Sequence, residues 1–447
     1  MKLILLPHQL FEVDYLKDTT NDLDKINEII LYEHPQYFMK YNFNKKKLVL
    51  HRASMKYYED YLKTKLKSKI KKITYHEYKD SFDINKQKDV VMFDPIDKIK
   101  LSKKIKILET PNFLLTKEDY LNYQKKSKSF FFNGFYMSGK KVIDIIPTIK
   151  SQDKENRKKL PKGLNIPPLP TNKGKKDSTY IKEAIAYVEK HFPNNYGNTD
   201  NFQFPISHTT AHKWFKKFLE TKLNKFGDYE DFIKQGENYM FHSCLSSSIN
   251  IGLIQPSQII DELRKLKSKY KINNYEGYIR QLFWREYQRY CYLYFNFKGK
   301  NYFGNKKKLS KGWYDGTLGV KPVDDAIKSG FDTGYLHHII RLMVVGNYMN
   351  LSGISPNEGF RWFMEFSCDS YEWVMMQNVL DMVFCVSGGK TMRKPYLSSS
   401  TYIMSMSDYK KGEWSEIWNK TYKDFMRKHK TILLRDFKYY FHFIKNY

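Results

Sequence analysis

Cysteine and long apolar runs are scarce in this chain of 447 residues. The four cysteines are Cys244, Cys291, Cys368 and Cys385, and none stands in a CxxC pair or at a zinc-type spacing to histidine. Scattered cysteines in a chain of this size are typical of a reducing compartment, so we expect an intracellular protein. No apolar stretch reaches membrane-spanning length, and the apolar run at the N-terminus is too short for a signal peptide. These absences favour a soluble protein without a metal site.

Acidic residues are too few to balance the basic ones. The chain has 48 Asp and Glu against 77 Lys and Arg, which gives a formal net charge of +29. A field of that sign attracts polyanions, of which nucleic acid is the usual one. A coding bias towards Lys, Asn and Tyr would raise the charge without serving a function, and that alternative stays open. The aromatic content of 17% supplies stacking surfaces as well as core.

The first third of the chain alternates strand-like and helix-like runs. An amphipathic pattern with a lysine-rich face predicts a helix over 55–71. The strand-like runs are 3–6, 28–33, 47–52, 73–78 and 90–95. This alternation predicts a Rossmann-like α/β domain with a parallel sheet over residues 1–130. No GxGxxG follows the first strand, so the dinucleotide fingerprint is absent.

The rest of the chain has a different pattern. Residues 131–177 read as a connector, because much of the segment is rich in Lys, Pro, Gly and Asn. Helical runs dominate from there on, so residues 178–447 are predicted to form a mostly helical domain. The stretch GFYMSGKK at 134–141 resembles a phosphate-binding loop, but Lys141 stands where Ser or Thr should hold magnesium and no strand precedes it. We therefore expect no nucleotide site there.

Two adjacent histidines, His337 and His338, lie in the apolar stretch 334–348 together with Arg341. If the stretch is helical, it is apolar almost all round, as in a buried helix, and the three side chains share one face. Arginine is almost never buried without a partner. The segment therefore predicts a pocket for a polar, anionic ligand. Two core histidines and an arginine bound to carbonyl groups are the alternative.

A second helical run, NYEGYIRQLFWREYQRYCYLYF, carries polar groups among aromatic ones. Gln281 and Arg285 fall one turn apart, and Glu276 lies near the start of the run. This pattern predicts a polar groove in an aromatic core. The alternative is a surface helix with intrahelical pairs, for instance between Glu276 and Arg280.

A serine cluster precedes a short apolar run in FHSCLSSSINIGLIQP. Its members are Ser243, Ser246, Ser247 and Ser248. Hydroxyls and free amides at the start of a helix can hold phosphate. Serine at this position is more commonly a plain N-cap.

Four motifs occur in a fixed order: EGYIRQLFWREY, TGYLHHIIRLMVVGN, EWVMMQNVLDM and GGKTMRKPYLSSSTYIMSMSDY. Together they resemble the photolyase/cryptochrome family, and in particular the bacterial (6-4) photolyases that carry an iron–sulfur cluster. The stretches FGDYEDFIKQGENYMFHSCLSSSINIGLIQP and LVLHRASMKYY match the same branch. The resemblance extends over essentially the whole chain and is strongest in 226–409.

The resemblance implies an α/β antenna domain, a connector and a helical FAD-binding domain. It also implies light-dependent repair of (6-4) pyrimidine–pyrimidone photoproducts in UV-damaged DNA, by electron transfer from reduced FAD. Two alternatives within the family are a cyclobutane dimer photolyase and a cryptochrome-like blue-light photoreceptor without repair. The first domain could hold an antenna chromophore of the lumazine type, another pigment or none. We expect a monomer that binds damaged DNA.

The resemblance further implies a set of FAD contacts. They comprise residues on the phosphate side, residues lining the flavin and lesion cavity, and an arginine beside the flavin ring with its salt-bridge partner. The residues on the phosphate side are Ser243, Leu245 and Ser246. Those lining the cavity are Glu276, Gln281 and Arg285, and the arginine beside the flavin ring is Arg341 with Asp369 as its partner.

Four residues match catalytic positions of the family. His337 and His338 match the histidine pair of (6-4) repair, and we expect His338 to supply the proton that splitting the adduct requires. Tyr396 matches a tyrosine of the substrate pocket. Trp362 matches the tryptophan nearest the flavin in an electron-hopping path.

The chain departs from this branch in two respects. The positions of two cluster cysteines hold Lys410 and Glu413, and the further ligand positions, near Pro322 and Met426, also lack cysteine. Without thiolates there can be no such cluster, so we expect no iron–sulfur centre. The outer tryptophan of the hopping path is replaced by Tyr314, with Trp313 beside it.

Overall fold

The computed structural model describes residues 1–20, 25–66, 70, 72–171, 175–438 and 442. It divides into two compact units. The first comprises 1–117, 169–220 and 243–266, and the second comprises 118–168, 221–242 and 267–447. The expected boundaries at 130 and 178 therefore differ from those of the units.

The helices and strands follow in chain order. The strands are β1 (Lys2–Leu5), β2 (Glu28–Tyr32), β3 (Lys72–His76), β4 (Val90–Phe93) and β5 (Lys106–Leu108). The helices are α1 (Val13–Thr20), α2 (Pro35–Phe38), α3 (Lys45–Lys65), α4 (Lys117–Lys126), α5 (Phe132–Ile143), α6 (Lys175–His191), α7 (His208–Thr221), α8 (Leu223–Tyr229), α9 (Ser246–Asn250), α10 (Pro256–Lys265), α11 (Ile272–Tyr294), α12 (Gly312–Asp315), α13 (Lys321–Thr333), α14 (Asn347–Leu351), α15 (Pro356–Phe366), α16 (Glu372–Met375), α17 (Ser400–Ser405), α18 (Glu413–Lys428) and α19 (Lys430–Asp436).

The first unit is built on a parallel sheet with strand order β3-β2-β1-β4-β5. Its central strands are buried almost throughout, which explains why they read as uninterrupted apolar runs. Helix α6 belongs to this unit because polar contacts fix it to α3. The guanidinium of Arg52 lies 2.6 Å from Glu183, and the hydroxyl of Tyr180 donates to Asp60 at 2.7 Å. The predicted α/β domain is thus confirmed, although it includes segments from later in the chain.

Four of the five predicted strands are present, at β1, β2, β3 and β4. The strand predicted at 47–52 is wrong, because that run lies inside α3. Asn44 caps this helix by accepting a hydrogen bond from the backbone N–H of Lys46 at 2.9 Å. A short apolar run does not distinguish a buried helix from a strand. Residues 67–69 and 71, at the end of the predicted helix 55–71, lie outside the described residues.

The second unit is mostly helical, in line with the prediction for 178–447. The phosphate-loop-like stretch lies within α5. The segment predicted as a connector, 131–177, contains α5, a short 3₁₀ turn at Asp153–Asn156 and the start of α6 among its described residues. Two π-helical segments occur, Ile340–Gly346 before α14 and Met376–Val383 after α16. Among the described residues, no helix combines the length and apolarity needed to cross a membrane.

Candidate active site

Helix α11 holds three of the predicted site residues, and Glu276 is the most deeply buried of them. Its carboxylate accepts hydrogen bonds from the hydroxyl of Tyr136 at 2.6 Å and from the backbone N–H of Gln152 at 3.0 Å. Gln281, further along the helix, donates from Nε2 to Glu230 at 3.0 Å. The polar groups of α11 therefore bond to other segments of the second unit, which supports a polar groove and not a surface helix.

Glu230 is a buried carboxylate that the sequence interpretation missed. It accepts hydrogen bonds from Asn156 at 2.9 Å and from Arg280 at 3.2 Å. Burial raises the pKa of Glu230 to about 7, against the opposing positive charge of Arg280. Arg280 also lies 2.6 Å from Asp153 of the connector, so its ion pairs lie outside its own helix. These contacts replace the alternative, an intrahelical ion pair between Arg280 and Glu276.

Arg285 is enclosed by protein. Its guanidinium carbon lies 4.9 Å from the ring centre of Trp373, and its NH1 lies 3.9 Å from Glu286. Burial lowers the pKa of Arg285 to about 10. The guanidinium of Arg285 therefore lies between an aromatic ring and a carboxylate of its own helix.

His338 is the exposed member of the histidine pair. Its side chain is 38% exposed, and its Nε2 lies 3.1 Å from Oδ1 of Asp231. Asp231 is mostly buried, and Nε of Arg157 lies 3.5 Å from its other oxygen. A carboxylate at this distance fixes the orientation of the imidazole ring. Asp231 was also missed in the sequence, where it follows Glu230 in the stretch GDYEDF.

His337 is buried, with 1% exposure, and its ring stacks on that of His242. The ring centres are 4.8 Å apart and the planes differ by 13°. Neither ring nitrogen of His337 has a hydrogen-bond partner among the described residues. Burial holds the pKa of His337 and that of His242 well below the ordinary value, so both rings are neutral at pH 7. The site thus contains a third histidine, which the motif around the serine cluster did not reveal.

The three histidines are close enough for a metal ion to be considered. Their ring nitrogens lie within 4.8 Å of one another. The lone pairs of an imidazole lie in the plane of its ring, however, and the rings of His242 and His337 are stacked and nearly parallel. In-plane lone pairs of stacked rings do not converge on one point. This histidine cluster therefore does not form a metal site without turning a ring.

Arg341 forms the ion pair that the resemblance implied. Its NH1 and NH2 lie 2.9 and 3.1 Å from the two carboxylate oxygens of Asp369, and its Nε donates to the carbonyl of Leu336 at 2.5 Å. The bidentate geometry fixes the plane of the guanidinium. The expectation that both histidines share a helical face with Arg341 is wrong for His337, because the helix begins only at His338.

Trp362 and Tyr396 are the remaining predicted catalytic residues. Trp362 is fully buried on α15, and its Nε1 donates to the carbonyl of Trp313 at 2.6 Å. Tyr396 is half-buried in an irregular segment, and burial raises its pKa while the negative charges of Asp153 and Asp231 reinforce the shift. Tyr396 therefore lies in the electrostatic neighbourhood of the carboxylates described above.

The three residues predicted on the phosphate side of a cofactor belong to the first unit. Ser243 and Leu245 precede α9, and Ser246 is its first residue. The carbonyl of Ser243 accepts a hydrogen bond from Nε1 of Trp214 at 2.8 Å. The buried hydroxyls of Ser247 and Ser248 have no hydrogen-bond partner among the described residues. This segment therefore has polar groups available for a ligand.

Comparison with known proteins identifies relatives of the chain. Residues 3–204 match the family described as deoxyribodipyrimidine photo-lyase-related protein. A (6-4) photolyase of Agrobacterium fabrum is 31% identical over 309 residues, which are 66% of this chain and 60% of that relative. The chain thus aligns with somewhat less than two thirds of the relative's length.

Solved structures resemble the whole chain. A bacterial class III photolyase from Agrobacterium tumefaciens has a TM-score of 0.62 at 12% identity, over 96% of this chain and 97% of that one. An archaeal photolyase from Sulfolobus tokodaii has a TM-score of 0.51 at 13% identity, over 97% and 89% of the two chains. At these identities the likeness concerns the fold. Residues 3–204 thus match the photolyase-related family, the sequence relative is a (6-4) photolyase, and the fold resembles that of photolyases, so the three comparisons all point to the photolyase/cryptochrome family.

Proposed function

We propose that this protein is a light-dependent DNA-repair enzyme that acts on (6-4) pyrimidine–pyrimidone photoproducts with FAD as its cofactor. The observation that carries the proposal is His338, a partly exposed imidazole held by the Asp231 carboxylate at 3.1 Å. Splitting a (6-4) adduct requires a proton donor, and an imidazole beside a carboxylate suits that task near neutral pH. The relative named (6-4) photolyase supports the same substrate.

The residues present fit a bound FAD. In the second unit, the guanidinium of Arg341 is fixed in plane by Asp369, and both ring nitrogens of His337 are buried without a partner among the described residues. In the first unit, the hydroxyls of Ser247 and Ser248 are also buried without a hydrogen-bond partner among the described residues. Buried polar groups normally have partners, so these atoms indicate ligand contacts. The archaeal photolyase cited above holds FAD.

We take the contacts from the resemblance, and their chemistry is consistent with that choice. Hydroxyl and amide groups suit phosphate and ribose, and guanidinium and carboxylate groups suit the edge of a flavin ring and a flipped base. The proposed contacts are Ser243, Leu245 and Ser246 in the first unit, and Glu276, Gln281, Arg285, Arg341 and Asp369 in the second. The chemistry supplied by reduced FAD is the light-driven donation of one electron to the lesion.

The chain's own residues would donate the proton that the lesion needs. Because Asp231 holds Nε2 of His338, the proton that leaves is the one on Nδ1. His337 is neutral and buried, so it presents the ring of His338 to the lesion without adding a second positive charge. Tyr396, near the same carboxylates, would contact the flipped base. Lysines of this strongly basic chain would hold phosphates without reading sequence.

The proposal is tested by incubating the purified protein with oligonucleotides that contain a (6-4) photoproduct or a cyclobutane dimer, under blue light and in the dark. We expect bound flavin in the absorption spectrum and light-dependent loss of the (6-4) lesion. Repair of the cyclobutane dimer alone would establish the other substrate. Bound flavin without repair of either lesion would favour a photoreceptor, and a protein that takes up no flavin would contradict the proposal.

A further inference from the structure

The second unit contains a row of five aromatic side chains that the proposed repair reaction does not use. Each ring contacts the next, and all five are buried. The distances between ring centres are 6.1 Å from Trp313 to Tyr348, 5.0 Å from Tyr348 to Trp418, 6.4 Å from Trp418 to Trp414 and 6.1 Å from Trp414 to Tyr409. Tryptophan and tyrosine are the side chains most readily oxidised by one electron, so the row is a continuous path for electron hopping.

Both ends of the row have features that a packing cluster does not need. At the inner end, the backbone carbonyl of Trp313 accepts the hydrogen bond from Nε1 of Trp362 at 2.6 Å. At the outer end, the hydroxyl of Tyr409 donates to Oδ2 of Asp325 at 2.9 Å. The side chain of Asp325 is 39% exposed and lies 2.8 Å from Lys321, so this end reaches solvent.

We propose that this row carries an electron from the protein surface to Trp362 and that Tyr409 is the terminal donor. The inference rests on the proposed function, because it needs oxidised FAD beside Trp362. Trp362 gives one electron to the light-excited flavin, and the electron deficit then moves outwards along the row. Tyr409 loses one electron and passes its hydroxyl proton to Asp325. A thiol in solution then returns one electron, and Tyr409 regains its proton.

A shorter route starts from Tyr314, which stands at the position of the family's outer tryptophan. Its ring centre is 5.9 Å from that of Phe331, which is 5.5 Å from that of Trp362. Its hydroxyl also donates to a carboxylate, Glu365, at 3.1 Å. Phenylalanine is much harder to oxidise than tyrosine or tryptophan, so Phe331 interrupts this route as a chain of hops. In the row that ends at Tyr409 every ring is a tryptophan or a tyrosine, and the row meets Trp362 through the hydrogen bond to the carbonyl of Trp313.

The test locates the radical in flavin-loaded protein. The protein is illuminated with blue light without thiol in the presence of a spin trap, and the labelled peptide is identified by mass spectrometry. We expect label on Tyr409. The label should be lost from that peptide in Tyr409→Phe and in Trp418→Phe, and reduced in Asp325→Asn, which removes the proton acceptor.

The matched control is Tyr294→Phe, which changes a tyrosine that packs against Tyr290 outside the row. It should leave the label on Tyr409, and so should Tyr314→Phe. Flavin content and thermal unfolding of each variant establish that it is folded. Label on Tyr314 in the parent, or label kept on Tyr409 in Trp418→Phe, would overturn the inference while leaving the proposed repair function intact. Failure to bind flavin would instead contradict the proposed function.

Discussion

Under the proposed function, Trp362 would take part in only one of two reactions that share FAD. Its ring is wholly buried, and its position in the family's hopping path is an expectation from the resemblance. We predict that Trp362→Phe slows the photoreduction of oxidised FAD and leaves repair by already reduced FAD largely unchanged. Hopping needs an oxidisable relay, whereas repair needs only flavin and lesion in contact. Absorption spectra under illumination and a repair assay with pre-reduced protein measure the two rates. An equal loss in both would make Trp362 a packing residue.

Glu230 gives a pH-dependent contribution to stability. Its pKa is raised from 4.5 to about 7 by burial, so the folded chain keeps a proton that the unfolded chain has lost. Its contribution is therefore largest at low pH and is lost as the pH rises through about 7. Glu230→Gln stays neutral, so we expect the stability of the variant relative to the parent to increase between pH 5 and pH 8. Thermal unfolding across this range measures the difference, and a constant difference would contradict the assignment.

Single residues of the candidate site differed in how far the sequence revealed them. The Arg341–Asp369 pair could be anticipated from the resemblance, because Arg341 stands in one of the motifs and Asp369 lies just before another. Asp231 and His242 could not, because nothing in a sequence shows that positions 231 and 242 come to lie beside 338. The network around Glu230 was missed for the same reason. Proximity between distant segments is set by packing and leaves no local pattern.

At the scale of elements, the two π-helical segments pack closely where Gly346 meets Val383. A Cβ built on Gly346 would lie 2.6 Å from a methyl carbon of Val383. The branched valine has little freedom to move away. We predict that Gly346→Ala destabilises the protein by about 1–3 kcal/mol, as overpacking does.

The matched control for this prediction is Gly412→Ala. A Cβ on Gly412 would lie 3.5 Å from its nearest neighbour, which is an ordinary contact. Denaturant unfolding of both variants gives the two changes in free energy. Equal, small changes in the free energy of unfolding would mean that the two π-helical segments can move apart without destabilising the protein.

Elements were predicted well where the pattern was long or unambiguous. The runs at β1 and β4 are short and almost wholly apolar, and they fit strands buried on both faces. The run at 47–52 looks the same but continues an α-helix, because the cap at Asn44 starts a helix just before it. Strand β5 was missed, since its three residues include a lysine and are mostly exposed. Short edge strands are defined by their neighbours more than by their own sequence.

At the scale of the whole molecule, burial lowers the pKa of more histidines than it raises the pKa of carboxyl groups. Burial lowers the pKa of six histidines to about 4 or well below the ordinary 6.5: His8, His34, His51, His242, His337 and His429. The unfolded chain therefore binds more protons below pH 6.5 than the folded chain. Stability from these residues is present above that pH and is lost as the pH falls.

We therefore predict that the thermal unfolding midpoint is lower at pH 5 than at pH 7. Glu33 and Glu230, whose pKa values are raised by burial, oppose this trend but are fewer. Scanning calorimetry at constant ionic strength measures the midpoints. A midpoint that rises towards pH 5 would mean that the carboxyl groups dominate.

The measurement that tests the account most directly compares the parent with His338→Asn at matched flavin content. Asparagine keeps a hydrogen-bonding group but cannot exchange a proton near pH 7. We predict normal binding of FAD and damaged DNA, and a loss of light-dependent (6-4) repair of about 10²–10⁴-fold, the usual contribution of general acid catalysis. His212→Asn, whose native side chain is also 38% exposed, is the control and should repair normally. Repair of the (6-4) lesion by His338→Asn at the parent's rate would contradict the account.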